Sequence, residues 1–249
     1  MVDPIHQFNI EKIFTIGHIG NQEIAFTNSS AYMFGTVALI SLMMIGGAAG
    51  RQLVPGRIQS IAELCYEFVA NTVRSNAGSE GMKFFPLVFS IFMFILVSNV
   101  VGLIPYAFTV SSHLIVTAAL ALLVFLIMLV YGFYRNGLKF LKVFVPSGIP
   151  IYILPLVVPI EIITFFLKHV SHAVRLFANM LAGHIALKVF ASFVAALGTL
   201  GLIGWAGAVL PLALTVALTA LELLVALLQA YVFTILTCIY LNDAIHPGH

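Results

Sequence analysis

An all-α integral membrane protein is the fold class that three observations predict. Hydrophobic residues make up 61% of the 249-residue chain and charged residues only 8%, whereas a soluble domain is about 45–50% apolar and about 25% charged. The mean hydropathy of +1.11 excludes a water-soluble globule, and it excludes disorder, which needs the opposite composition. Long uncharged runs recur, and the length holds about five to seven spans of about 20 residues. Eleven basic and nine acidic residues, a net charge of +2, are too scattered to make a nucleic-acid surface. Cys65 and Cys238 lie far apart in apolar surroundings, without metal-ligand spacing or a disulfide framework.

Residues 1–30 read as a polar arm outside the membrane. The opening MVDPIHQFNIEK has acids, a proline and no apolar core of a signal peptide. Residues 31–50 are free of charge and make a first span, with Gly46 and Gly50 as a small-residue face for close helix packing. The next stretch mixes Arg51, Arg57, Arg74 and Lys83 with Glu63, Glu67 and Glu80. Within it, Ile58, Ile61, Leu64, Cys65 and Phe68 recur at helical spacing, which predicts an amphipathic surface helix over 58–76. Residues 84–104 make a second span, ended by Pro105, and 114–134 a third. Arg135, Lys139 and Lys142 follow, while the loop before the third span has no Lys or Arg. The positive-inside rule then puts the basic loops in the cytoplasm or matrix and the N-terminal arm on the other side.

Two longer apolar stretches, 149–197 and 205–241, predict a strongly tilted helical hairpin, because each exceeds a perpendicular span. Pro155 and Pro159 mark where its first helix begins or kinks, and Gly198, Gly201 and Gly204 mark its turn. The first stretch carries Glu161, Lys168, His169, His172, Arg175, Asn179, His184 and Lys188. Such groups at bilayer depth cost about 2.5–3.5 kcal/mol each on insertion scales. One reading is a wet loop between two ordinary spans. The spacing favours another: Glu161, Lys168, His172, Arg175 and Asn179 share one helical face. Thr215, Glu222 and Gln229, seven residues apart, make a second polar stripe.

Arg175 is a fixed positive charge, since guanidinium does not deprotonate in proteins. It needs an acidic partner, water or a functional reason. Glu161 lies about 21 Å away along a helix. The remaining alternatives are an internal salt bridge to Glu222 or a carboxylate on another, moving protein. His184 and Glu222 both exchange protons, which suits a relay in a membrane helix; a lone membrane histidine also serves as a packing group. His169 and His172 at i, i+3 could ligate a metal, but an H-E-x-x-H signature is missing. No Walker loop, dinucleotide glycine fingerprint or G-x-S-x-G elbow occurs. The residues alone therefore point to an ion or proton pathway, with a secondary proton-coupled transporter or an integral membrane metalloenzyme as alternatives.

Three stretches carry a resemblance. SHAVRLFANMLAGH at 171–184 resembles the arginine helix of the subunit a family of F-type ATP synthases. SNVVGLIPYAFTVSSH at 98–113 and ELLVALLQAYVFTILTCIYLNDA at the end resemble two further parts of that family. The resemblance runs from about residue 31 to 244. It implies a stator subunit, without a catalytic site of its own, standing beside a ring of c subunits that carry ionisable carboxyls. Two offset proton half-channels would reach that ring from opposite sides. It implies that Arg175 faces the ring carboxyl, with Asn179 and Gln229 as polar neighbours. His184 and Glu222 would line the entrance half-channel, and Glu161 would lie toward the exit. Some bacterial members carry an acid at the position of His184 and a histidine at that of Glu222; here the pair is exchanged, as in the mitochondrial branch and related bacteria.

The resemblance further implies that the hairpin lies nearly flat around the ring and that the transported ion is H⁺. The implied partners are the c-ring, b-type peripheral stalk subunits, the remaining synthase subunits and membrane lipid, with no nucleic acid, cofactor or metal. The implied location is a bacterial inner membrane, with the mitochondrial inner membrane as the alternative. The loop charges set a direct test of orientation. Cysteine probes near Arg57 and Lys139 are expected to label from the cytoplasmic or matrix side, and one near Ser111 from the opposite side. Labelling of all three from one side would refute the arrangement.

Overall fold

The computed structural model describes residues 9–19, 22–49, 54–104, 107–145 and 152–246. Arg51, Pro105, Gly50, residues 149–151 and the terminal His6 and His249 lie outside the described residues. Among the described residues two strands come first, β1 (Lys12–Ile19) and β2 (Gln22–Thr27), followed by six α-helices: α1 (Asn28–Ala49), α2 (Arg57–Gly81), α3 (Phe85–Gly102), α4 (Leu114–Asn136), α5 (Leu154–Gly198) and α6 (Gly201–Ile245). Among the described residues, five helical stretches are long and apolar enough to cross a membrane. The protein is an all-α integral membrane protein with a small β-hairpin at its start.

That hairpin lies within the N-terminal stretch read from the sequence as a polar arm, where no strands are expected. The strands pair antiparallel, and Lys12 Nζ meets Glu23 Oε2 at 2.6 Å across them. The ammonium holds the exposed Glu23 carboxyl below its ordinary range. Phe14 stacks on Phe26, and Phe26 on Phe34 of α1. The strand signal in KIFTIGHI and QEIAFT is their β-branched and aromatic residues. Helix α1 starts at Asn28 because the Thr27 hydroxyl accepts the Ser30 N–H at 3.3 Å, an N-terminal cap. Asn28 also ties the helix start back to the strand, donating from Nδ2 to the Asn9 carbonyl at 3.0 Å.

The chain divides into two compact units. One is drawn from Met1–Ile40, Phe94–His113 and Leu176–Gln229, the other from Ser41–Met93, Leu114–Arg175 and Ala230–His249. In the second unit, small side chains of α2 face inward. Helix α2 buries Ala62, Cys65, Val69, Ala70 and Val73, while Ile58, Ile61 and Leu64 are exposed. The apolar ridge expected from the sequence thus points away from the protein, apart from Cys65. Lipid is as apolar as leucine, so large side chains gain nothing by facing inward and small ones permit close packing. The close approach on α1 follows the same rule through Gly47, where a Cβ would lie 3.0 Å from the Ala62 Cβ; a Cβ at Gly46 would meet nothing. Helix α4 buries Thr117, Ala121, Val124, Met128 and Gly132 at spacings of three and four, one helical stripe. Arg135 at its end pairs with Glu80 at 2.6 Å.

Helices α5 and α6 have 45 residues each, about 68 Å at 1.5 Å per residue. The bilayer core is only about 30 Å thick, so each is more than twice as long as an upright crossing requires. Pro155 sits in the first turn of α5, where its missing N–H has no intrahelical bond to break; Pro159 and Pro211 lie inside α5 and α6. The two helices join through Thr199 and Leu200, with Gly201 at φ +74° opening α6.

Candidate functional site

The first unit brings together two residues that the sequence singled out. His184 on α5 and Glu222 on α6 are 6% and 5% exposed. Nδ1 of His184 lies 3.3 Å from Oε1 of Glu222. That contact is a close approach of two titratable groups without hydrogen-bond alignment, since neither Glu222 oxygen has a hydrogen-bond partner among the described residues. A small tightening brings the pair to the reach that proton exchange requires. The space for the carboxyl comes from Gly183: a Cβ there would stand 2.8 Å from Glu222 Oε1.

Three further residues complete the cluster, and the sequence reading missed all of them. Thr109 Oγ1 stands 3.0 Å from His184 Nε2, the ring nitrogen that does not face Glu222. Ser111 Oγ donates to Asn99 Oδ1 at 2.7 Å, and Asn99 Nδ2 donates to the Ala226 carbonyl on α6 at 3.3 Å. Thr109 and Asn99 are wholly buried. Asn99 carried a signal, as a polar group within an apolar span. Thr109 and Ser111 carried none, because a hydroxyl in a loop is ordinarily solvated. Asn179 is exposed and Gln229 half-buried, and both stand outside this cluster.

The second unit holds the rest. Arg175 is exposed, and within its unit no described carboxylate lies in ion-pair range. Glu161 is half-buried and reaches Lys168 at 4.0 Å. The expected common stripe on α5 splits here. Lys168 and Arg175 are exposed, but His172 is 4% exposed, its ring 3.8 Å from that of Phe233. On a helix His172 sits about 60° around from Arg175, enough for one to face α6 and the other to leave the protein. His169 is buried too, 4.3 Å from Tyr240 between ring centres, with Nδ1 2.9 Å from the Phe165 carbonyl. The Nε2 atoms of His169 and His172 have no hydrogen-bond partner among the described residues. No cluster of three His, Cys, Asp or Glu side chains occurs among the described residues to hold a metal with them.

Long apolar helices, five stretches of them able to span a bilayer among the described residues, with a buried acid–imidazole pair in their interior define an integral membrane protein that carries titratable groups inside it. The ATP synthase A chain family matches residues 30–242. Curated relatives agree along the whole length. A chain described as ATP synthase subunit a from Rhodopseudomonas palustris strain TIE-1 is 79% identical over 247 residues, 99% of each chain. Those from Nitrobacter winogradskyi and Bradyrhizobium diazoefficiens, described in the same words, are 76% and 75% identical over 249 residues, covering all of this chain and 100% and 99% of theirs. The chain belongs to the ATP synthase A chain family.

The close fit at Gly183 makes a test of the pair. Gly183→Ala is expected to push the Glu222 carboxyl off His184 and lower proton flux by on the order of tenfold, the equivalent of about 1.4 kcal/mol on the barrier. Dye-quenching assays on inverted vesicles, normalised to assembled complex, measure it. Wild-type flux would show that the pair's geometry does not matter.

Proposed function

We propose that this chain is the proton-translocating stator subunit a of an F-type ATP synthase, working with the other synthase subunits and carrying no catalytic site of its own. The observation that carries the reading is the buried His184–Glu222 pair, 3.3 Å apart on two helices of an apolar protein. Burying two ionisable groups is costly unless they serve each other or a transported charge. Two groups that both titrate pass a proton between them, and each one's protonation depends on the other's. In this reading the pair lines the half-channel through which protons enter.

Arg175 supplies the coupling. As an exposed cation on α5 it is available to a carboxylate of a neighbouring subunit, and the ring of c subunits is the partner that family membership suggests. The guanidinium favours the ionised ring carboxylate over its protonated form. It keeps its own proton, so it blocks direct leakage between the half-channels. Asn179 and Gln229 attend this contact, and Glu161 stands toward the exit. Peripheral stalk subunits of b type hold the chain against rotation, and the membrane is a bacterial inner membrane.

Arg175→Ala is expected to abolish proton-driven ATP synthesis while the complex still assembles. Arg175→Lys should fail as well, because an ammonium is a compact point charge that can lose its proton when buried. Near-normal synthesis in either variant would sink the mechanism. The relay has its own test in a double-mutant cycle. Glu222→Gln and His184→Ala should each lower flux, and the exchange Glu222→His with His184→Glu should recover more than the single losses add up to. Zero coupling in fully assembled complexes would show that the two residues merely pack.

A further inference from the structure

We infer that Thr109 is a positioning residue for the proton relay, whose single hydroxyl serves His184 in both of its protonation states. The inference rests on the relay reading of His184 and Glu222 and extends it to the loop between α3 and α4. The His184 ring is held from two sides: Glu222 Oε1 faces Nδ1 at 3.3 Å, and Thr109 Oγ1 faces Nε2 at 3.0 Å. Thr109 Oγ1 has a second neighbour, the Gly102 carbonyl, at 3.4 Å. A hydroxyl offers one hydrogen and two lone pairs. When Nε2 is bare, the Thr109 hydrogen turns to it. When Nε2 carries a hydrogen, Nε2–H donates to Oγ1, and the Thr109 hydrogen turns to the Gly102 carbonyl. His184 can therefore gain or lose a proton with no heavy atom moving; only the hydroxyl rotates.

The loop is built to hold that hydroxyl still. Thr109 is 0% exposed. Its carbonyl accepts the Ser112 hydroxyl at 2.7 Å. Two residues on, Ser111 bonds Asn99 of α3, which bonds the Ala226 carbonyl of α6, one turn beyond Glu222. The loop and the carboxyl helix are thus tied to the same asparagine. Every side of Thr109 is occupied, so its only freedom is rotation about its own C–O bond. Among the described residues, the charged or titratable groups found against His184 are Glu222 on α6 and Lys188 one turn on along α5. His113, at the end of the same loop, stacks its ring on Phe108 instead.

A valine matches threonine in shape but has no hydroxyl. In Thr109→Val the neutral ring loses a donor and the imidazolium loses an acceptor. Hydrogen bonds to a charged group are roughly twice as strong as neutral ones, so the imidazolium form loses more. Thr109→Ser keeps the hydroxyl and removes only a methyl group.

The test uses the whole complex in inverted vesicles, with ATP-driven proton pumping and passive flux followed across pH on the side that His184 serves. Thr109→Val is expected to lower flux by on the order of tenfold and to move the half-maximal pH about one unit toward acid, the equivalent of one charge-assisted hydrogen bond. Thr109→Ser should stay near the wild-type rate and profile. Should Thr109→Val fail to assemble, Thr109→Ala, which only removes atoms, gives the same comparison with Thr109→Ser. Wild-type flux and profile in the hydroxyl-free variant would overturn the inference. So would equal loss in the Val and Ser variants at an unshifted pH, which marks a packing role. The relay reading fails separately, if His184→Ala and Glu222→Gln themselves keep the wild-type rate and profile in the same vesicles.

Discussion

The constraint on which the rest depends is the cost of an ionisable group in an apolar interior. Glu222 is almost fully buried on a helix of high hydropathy, and a lone carboxylate there would be strongly unfavourable. His184 offsets that cost from the facing helix, and Gly183 leaves the carboxyl the space to reach it. Around the pair, Thr109, Ser111 and Asn99 connect a loop, α3 and α6 through hydrogen bonds rather than through apolar contact. Polar bonds of this kind specify one arrangement, because slipping by a residue would leave several buried groups unpaired.

Apolar packing plays a different part here than in a soluble protein. Most large side chains on α1 and α2 point outward, and Ala, Gly, Cys, Thr and Val make the inner contacts there, whereas α4 adds the buried Met128. Burial in lipid supplies no drive to gather leucines, so close approach and interhelical polar bonds decide which faces meet. The exposed Ile58, Ile61 and Leu64 on α2 fit this rule. Their outward ridge gives that helix an apolar face for lipid, alongside its charged residues.

Helix α5 separates two kinds of basic residue by a small turn of the wheel. Lys168 and Arg175 leave the protein, whereas His169 and His172 go inward among Phe125, Phe165, Phe233 and Tyr240. An arginine cannot shed its charge, so it stays on the outside of the helix rather than among the rings. An imidazole can be neutral, and as a neutral ring it packs on aromatic faces at little cost. One polar stripe in the sequence therefore becomes two environments with different chemistry.

The sequence by itself determined the solvent, the helical class and the residues worth watching. Composition and run length are enough for the first two, because a bilayer demands uncharged stretches with all backbone groups bonded within the segment. His184, Glu222 and Arg175 were legible for the same reason: ionisable groups stand out where few are tolerated. The β-hairpin was less legible, since KIFTIGHI and QEIAFT are short and flanked by a polar start. Only the tertiary structure decided that Glu222 meets His184, that Gly183 makes room for the carboxyl, and that Thr109 from a distant loop holds the other ring nitrogen. Periodicity reports which face a residue occupies on its own helix. It carries no information on which residue of another element stands opposite, because that depends on how close small side chains let two backbones come.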